Sequence, residues 1–238
     1  MMSRCSICNA WVIPGETYYY DDHNNVCHTY HNGIEFCPIC NRLIGESSSN
    51  GKVTYHDGRF ICGYCHKFEN PVHDRIKLKE AFLHSKLLLQ GKGFEFPPVN
   101  VDFASQIDFS GSGYSEGTIG ITVSHLSTAQ QCHKIKILFG LPKVMCSAVL
   151  GHELLHVWLN EENLKPEVNV MEGFCELGAG LIYKRTDSAL SKRLFQNLEK
   201  NTYVTYSEGF KKMKYLLESS GGWQAVRNFV KDNSKLNV

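Results

Sequence analysis

The sequence has little that would direct the protein to a membrane or to nucleic acid. No stretch comes near the roughly 18 consecutive apolar residues of a membrane span, and the N-terminal residues MMSRCSICNA contain no apolar signal segment. The formal net charge is +1 and the Lys and Arg residues are scattered, which gives no electrostatic case for nucleic-acid binding. We therefore expect a cytoplasmic protein with neither a membrane nor a nucleic acid as partner.

The cysteines are unevenly distributed along the chain. Seven of the ten fall within the first 65 residues, where His, Asn, Gly and Tyr are also frequent. In a reducing cytosol, Cys-x2-Cys pairs stay as thiols and indicate metal ligands rather than disulfides. We predict a double zinc module at residues 1–70 and a second domain at residues 71–238.

The second domain has the pattern of an α+β fold. Residues 94–140 are rich in β-branched residues between Gly and Ser, which predicts strands at 99–103, 118–123 and 134–139. Apolar residues at helical spacing predict helices at 74–90, 143–160, 168–185, 188–200, 203–219 and 222–232. A sheet followed by helices makes the class α+β.

The second half of the zinc module carries a four-cysteine signal. Cys37 and Cys40 form one Cys-x2-Cys pair, and Cys62 and Cys65 form another after a spacer of 21 residues. Each pair presents two sulfurs to one tetrahedral ion. This spacing predicts one structural zinc.

The first half of the module predicts a second structural zinc with a less certain ligand set. Cys5 and Cys8 form a Cys-x2-Cys pair that needs two partners. The candidates are Cys27, His28, His31 and, less favoured, His23. We favour Cys27 and His31, whose spacing lets the intervening residues turn back on themselves.

A catalytic metal site is predicted at the segment His152-Glu153-Leu154-Leu155-His156. Two histidines four residues apart lie on one face of a helix, so both imidazoles can reach one zinc ion. A glutamate beside the first histidine is placed to take a proton from metal-bound water. The surrounding helix is strongly apolar, and burying these polar groups there without a purpose would be costly.

A third ligand follows on the next predicted helix. The segment Met171-Glu172-Gly173-Phe174 resembles the glutamate-bearing second helix of the gluzincin peptidases, and this resemblance implies that Glu172 is the third zinc ligand. Glu176, one turn further, lies where it can accept a hydrogen bond from a ligating imidazole. Glu176 as the ligand is the alternative.

Amide hydrolysis also needs a donor to the oxyanion, and tyrosine commonly serves in gluzincins. Tyr183, Tyr203 and Tyr206 are candidates, and we favour Tyr206 because it precedes a predicted helix in the segment Tyr-Ser-Glu-Gly-Phe. A tyrosine that only packs and forms a hydrogen bond is an equally open interpretation.

The order of the cysteine pairs resembles a LIM domain. The joint differs, because a LIM joint has the pattern H-x2-C-x2-C-x2-C, whereas this chain has His28-x2-His31-x5-Cys37-x2-Cys40.

The chain as a whole resembles the plant LIM-containing, ubiquitin-activated growth-regulating peptidases, the Da-one family. The likeness rests on segments that occur in the same order: DGRFIC at 57–62, QC at 131–132, ILFGLP at 137–142, the HELLH helix, Glu172-Gly173-x-Cys175, and Tyr206-x-x-Gly209-Phe210.

The resemblance implies a LIM-like zinc module followed by a zincin-like metallopeptidase domain. The implied protein is a zinc-dependent intracellular endopeptidase that cleaves selected regulatory proteins, with one catalytic and two structural zinc ions. Its implied partners are protein substrates and ubiquitin or ubiquitinated proteins. The alternative is a catalytically idle LIM-type adaptor that binds proteins, and an intact Glu153 favours the enzyme because metal binding alone does not require that carboxylate.

Overall fold

The chain separates into two compact units, Met1–Pro71 and Val72–Val238. The computed structural model describes residues 3–13, 15–110, 117–126, 131–200, 204–219 and 221–234, and for residues 126, 131 and 204–207 it describes the backbone alone. Helices and strands occur together, so the α+β class is confirmed. Among the described residues, every helix is too short or too polar to cross a bilayer.

The first unit is made of short elements around cysteines. Its elements are β1 (Tyr18–Tyr20), β2 (Val26–His28), α1 (Glu46–Ser49), β3 (Lys52–Thr54), β4 (Phe60–Cys62) and α2 (Gly63–Phe68). β1 pairs with β2 and β3 with β4, both antiparallel. One apolar cluster of this unit consists of Cys5, Cys27 and Leu43 with three half-buried neighbours. So small a core rarely stabilises a fold without a metal or another cross-link.

Two turns in this unit repeat one another in sequence and geometry. Each has the sequence Cys-x-Ile-Cys-Asn, and each ends at an asparagine with positive φ, Asn9 at 60° and Asn41 at 56°. In both turns the asparagine N–H donates to the carbonyl of the first cysteine, over 2.8 Å. This geometry brings the two thiols of each pair to the same side of the turn.

A buried carboxylate ties the β1–β2 turn to the loop that follows the second cysteine turn. Asp21 is 6% exposed and accepts backbone hydrogen bonds from Leu43 at 2.7 Å, His23 at 2.8 Å and Asn25 at 2.9 Å. Burial opposes its charge, but these bonds and one from the Asn25 side chain outweigh it and lower the pKa of Asp21.

We expect Asp21→Asn to destabilise the first unit by about 2 kcal/mol at neutral pH, because hydrogen bonds to a charged acceptor are lost. A carboxylate whose pKa is lowered by folding contributes stability above its unfolded pKa, and this contribution disappears as pH falls through the folded pKa. The difference in unfolding free energy between the two proteins should therefore shrink below about pH 4. Urea unfolding from pH 7 to pH 3 measures it, and a constant difference would mean that the charge plays no part.

The second unit is a small sheet followed by helices. Its elements are α3 (Arg75–Gln90), β5 (Val99–Ala104), α4 (Gln106–Ser110), β6 (Gly120–Leu126), β7 (Gln131–Leu138), α5 (Lys143–Glu161), α6 (Val168–Arg185), α7 (Ala189–Lys200), α8 (Val204–Ser219) and α9 (Gly222–Ser234). Within the described residues the strand order is β5–β7–β6, with β5 parallel and β6 antiparallel to β7. The core lies between the sheet and helices α3, α5, α6, α8 and α9.

The helices α5, α6 and α8 approach one another at glycines. A Cβ on Gly178 of α6 would lie 2.6 Å from the carbonyl oxygen of Gly151 on α5, and one on Gly151 would lie 3.0 Å from the carbonyl oxygen of Gly178. Gly173 of α6 likewise meets the backbone of Gly209 on α8, too closely for any Cβ. At both crossings the distance between the helices is therefore set by direct contact between their backbones.

The α5–α6 crossing predicts a contrast between two neighbouring glycines of α6. Gly178→Ala should destabilise the second unit by about 2 kcal/mol or more, because the methyl group must push two backbones apart. Gly180→Ala is the matched control, since its Cβ would lie at ordinary contact distance from Phe210, at 3.4 Å. Its effect should be neutral or stabilising by up to about 1 kcal/mol through helix propensity. Thermal unfolding followed by far-ultraviolet circular dichroism compares them, and equal melting temperatures would contradict the close contact.

Candidate metal centres

The first cluster of metal-binding side chains lies at the first cysteine turn. It consists of Cys5, Cys8, His28 and His31, whose donor atoms all lie within 4.8 Å of one another. The Cys5 Sγ is 3.2 Å from the His31 Nε2, and the Cys8 Sγ is 3.6 Å from the His28 Nδ1. A tetrahedral zinc with Cys and His ligands has S···N edges of about 3.6 Å. The four side chains could therefore hold a metal ion.

Cys27, the ligand favoured from spacing, is not a member of this cluster, and His28 lies there instead. Successive side chains of a strand point to opposite faces, so of two neighbours in β2 only one faces the Cys8 thiol. Cys27 is fully buried and packs in the apolar cluster with Leu43. His23 is also outside the metal cluster, since its Nε2 lies 2.9 Å from the Cys40 carbonyl oxygen.

His28 has the surroundings of a metal-ligating imidazole. Its Nδ1 faces Cys8, while its Nε2 lies 3.3 Å from the carboxylate of Glu16. A carboxylate on the second ring nitrogen fixes the tautomer and orientation of a ligating histidine. Burial opposes the charge of Cys5, but backbone hydrogen bonds from Cys8, His28 and Ile7 outweigh it and lower the pKa of this thiol to about 6. Such a thiol is readily available as the thiolate that metals bind.

The second cluster consists of the four predicted cysteines, all buried: Cys37, Cys40, Cys62 and Cys65. Cys40 and Cys62 have their sulfurs 3.7 Å apart, and the Cys37 and Cys65 sulfurs are 4.0 Å apart. A tetrahedral site with Zn–S bonds of about 2.3 Å has S···S edges of about 3.8 Å. The backbone N–H of Cys62 also points at the Cys37 sulfur, over 3.4 Å. The spacing fits one ion held by four thiolates.

The third cluster lies on α5, where one helical turn separates two histidines. His152 and His156 have their Nε2 atoms 3.1 Å apart, close to the edge of about 3.4 Å that two imidazoles make at one tetrahedral ion. Their side chains are 15% and 19% exposed, so solvent reaches them. The apolar residues of α5 lie on its other faces and pack in the core.

Two glutamates of α6 face this pair in different ways. The Glu172 carboxylate reaches both metal-facing nitrogens, with one oxygen 3.4 Å from the His152 Nε2 and the other 3.8 Å from the His156 Nε2. Glu176 lies on the opposite side of the first imidazole, 3.8 Å from the His152 Nδ1. Glu172 therefore lies on the Nε2 side of both imidazoles, and Glu176 lies on the Nδ1 side of the first one.

The thiol of Cys175 also lies at this cluster, within 4.8 Å of ring nitrogens of both histidines. Glu172 is not a member of this cluster, although its two oxygens approach the two Nε2 atoms to 3.4 and 3.8 Å.

Glu153 is held in place by a strand residue that the sequence did not single out. The Thr122 hydroxyl of β6 lies 2.7 Å from the Glu153 carboxylate and 3.0 Å from the backbone carbonyl oxygen of Glu153. Glu153 is 5% exposed, and burial raises its pKa, while His152 and the Thr122 hydrogen bond lower it in part. Thr122 thus fixes a buried carboxylate beside the histidine pair.

The electrostatic environment of the pair is negative. Burial opposes the charge of His152, but hydrogen bonding to Glu172 and Glu176 outweighs it and raises the pKa of this imidazole well above its ordinary value. Burial, followed by the neighbouring His152, lowers the pKa of His156 to about 4. Carboxylates gathered around two imidazoles favour a bound cation.

The tyrosine proposed as oxyanion donor lies outside the described part of the site. Tyr206 falls in α8, but its side chain is not among those described, and Tyr203 is outside the described residues. Tyr183 packs against the apolar cluster of Ala148, Ala179 and Ile182, and burial raises its pKa. The role of Tyr206 stays a prediction.

Comparison with known proteins concerns the segment that carries these histidines. Residues 105–183 match the protein-family model described as DA1-like, Protein DA1. This match supports a relationship with the DA1 family. Protein DA1 of Arabidopsis thaliana is 23% identical over 186 residues, which cover 63% of this chain and 34% of that protein.

Two further DA1 relatives match over shorter stretches. Protein DA1-related 1 and Protein DA1-related 2 of Arabidopsis thaliana are 44% and 46% identical over 46 residues, 18% of this chain and 8% of each relative. The chain spans about a third or less of the length of these DA1 relatives. No solved structure gave a significant match.

The two positions on α6 predict different metal affinities. Glu172→Ala should remove the metal of the histidine pair, because the carboxylate that faces both Nε2 atoms is lost. Glu176→Ala should weaken binding by about 10 to 100-fold, since it contacts only the second nitrogen of His152. Zinc per chain and competition with a chelator measure both. The reverse ranking would move the ligand one turn along α6.

Proposed function

We propose that the chain is a zinc-dependent endopeptidase with its active site on α5. The observation that carries the proposal is the approach of the Glu172 carboxylate to the His152 and His156 Nε2 atoms, beside a buried Glu153. Two imidazoles and a carboxylate are the donor set of many catalytic zinc sites, which leave a fourth position for water. The relationship to the DA1 family over residues 105–183 supports the same site.

The donors at the histidine pair suit a divalent metal of intermediate softness such as zinc. The edges of 3.1 to 3.8 Å between their donor atoms match one small tetrahedral ion. When bound, such an ion acidifies water and polarises the carbonyl of a scissile peptide bond. The remaining chemistry belongs to side chains of this chain.

Glu153 is the proposed proton carrier. Its carboxylate is buried and fixed by Thr122 through one oxygen, over 2.7 Å. It accepts a proton from the attacking water and returns it to the leaving amine. Glu176, at the His152 Nδ1, would hold that imidazole with its Nε2 toward the ion.

The first unit is proposed to be a LIM-like module with two structural zinc ions. One is held by Cys5, Cys8, His28 and His31, and the other by the four cysteines of the second cluster. The small apolar core of this unit makes the ions part of its stability. The second unit is then a zincin-like peptidase domain.

The sequence resemblance also leads to a proposal about substrates and partners. The substrates are selected regulatory proteins in the cytoplasm, and ubiquitin or ubiquitinated proteins are partners. These elements rest on the family resemblance, with support from the DA1 relationship.

A second candidate function is a catalytically idle adaptor. It is favoured by exposed aromatic side chains in the first unit: Trp11, Tyr18, Tyr19, Tyr20 and Tyr30. Aromatic residues are enriched at protein–protein interfaces. The two functions differ in whether the Glu153 carboxylate is required, because only the enzyme needs it for hydrolysis.

We expect Glu153→Gln to keep the fold and the zinc content but to lower the rate of peptide hydrolysis by about 10² to 10⁴-fold, because the proton carrier is lost. The measurement is mass spectrometry of new N-termini in a cytosolic protein extract treated with the purified protein, with and without conjugated ubiquitin.

Glu162→Gln is the matched control, because Glu162 follows α5 directly and pairs at the surface with Lys231, over 2.7 Å. This variant should cleave as the original protein does. If the Glu153→Gln variant cleaves as fast as the original protein, the activity lies elsewhere. If the original protein cleaves nothing, with or without conjugated ubiquitin, the adaptor is favoured.

A further inference from the structure

Cys175 lies in the hydrophobic core and also beside the histidine pair. It is the third residue after Glu172 on α6, its side chain is fully buried, and its sulfur belongs to the same cluster as His152 and His156. A thiol within 4.8 Å of two imidazole nitrogens has polar neighbours that an apolar packing role does not require.

The distances allow this sulfur to reach an ion held by the histidines. All donor pairs of the cluster lie within 4.8 Å, and S···N edges at a tetrahedral zinc are about 3.6 Å. A shift of about 1 Å in the Cys175 side chain would bring a sulfur and a nitrogen that are 4.8 Å apart to this distance. Thiolate, imidazole and carboxylate occur together as zinc ligands, so the mixed set is chemically consistent.

We propose that Cys175 is a fourth protein ligand of this metal, beside His152, His156 and Glu172, and that the resting site is therefore closed. This inference rests on the proposed function, because it requires a metal at the histidine pair. Ligation replaces the thiol proton by the ion, and the proton leaves to solvent. Sites with four protein ligands are structural, whereas catalytic sites keep a position for water. Hydrolysis would then begin only after the sulfur leaves the ion.

A second cysteine supplies the comparison for a packing role. Cys146 is also fully buried and lies on α5, in the same hydrophobic core as Cys175. It belongs to none of the metal-binding clusters found among the described residues. If Cys175 only packed, the two cysteines would respond alike to substitution.

The test is the absorption spectrum of the full chain loaded with Co²⁺, since thiolate ligation gives a charge-transfer band in the near ultraviolet. The cysteine clusters of the first unit contribute the same bands to every variant. Subtracting the spectrum of His152→Ala from that of the original protein therefore isolates the histidine site. We expect a thiolate band in this difference, together with the visible bands of a four-coordinate ion.

Three variants identify the sulfur. Cys175→Ala and the size-conserving Cys175→Ser should lose this thiolate band, whereas Cys146→Ala should keep it. Melting curves of all variants report on folding. A Cys175 variant that keeps the band overturns the inference.

The two proposals fail in different ways. A difference spectrum with visible bands but no thiolate band leaves the metal site intact and overturns ligation by Cys175. A difference spectrum with neither, and equal cobalt content in the original protein and His152→Ala, overturns the metal site itself.

Closure of the site has its own readout. Acetohydroxamate added to the Co²⁺-loaded protein should change the visible bands at a concentration at least about tenfold lower in Cys175→Ser, because it no longer has to displace a protein ligand. Equal concentrations in both proteins would show that the resting site is already open.

Discussion

The contact of backbone against backbone between α5 and α6 is the constraint on which the histidine site depends. Gly151 and Gly178 leave no room for a Cβ between the two helices. Gly151 directly precedes His152, so this close contact lies where the site begins. The second close crossing, at Gly173, directly follows Glu172 and fixes α6 against α8. The positions of the candidate donors are therefore set by the main chain, and the side chains only bridge the last few ångströms.

The cysteine clusters of the first unit are held in place by different interactions. There the apolar core is small, and the repeated turns ending at Asn9 and Asn41 hold the thiols in place. A metal bound to those thiols and imidazoles would contribute directly to folding. In the second unit the core is large and continuous, so the fold can position donors whether or not an ion is present.

Features that depend on local spacing could be predicted from the sequence. The helix that carries the histidines was expected at 143–160 and is found at Lys143–Glu161, and the next was expected at 168–185 and is found at Val168–Arg185. Helical periodicity is a property of neighbouring residues, so it survives without knowledge of the fold. The grouping of Cys37 and Cys40 with the later pair follows from the same kind of spacing.

Features that depend on which face a side chain takes, or on contacts between distant segments, could not be predicted. The choice of His28 over Cys27 depends on the register of β2, which spacing does not reveal. Thr122 is 31 residues before Glu153, and its role appears only when β6 lies beside α5. The place of Cys175 likewise depends on the α5–α6 crossing. The catalytic roles of Glu153 and Tyr206 stay predictions.

The glycine contact also limits how such a site can change. Because backbone meets backbone at Gly151 and Gly178, the separation of α5 and α6 cannot be tuned gradually by substituting residues at this contact. A ligand on α6 can move instead by a whole turn, as from Glu172 to Glu176, which displaces it by about 6 Å along the helix axis. A donor on α6 can therefore change its place only in steps of one helical turn. Single substitutions at the crossing cannot produce positions between these steps.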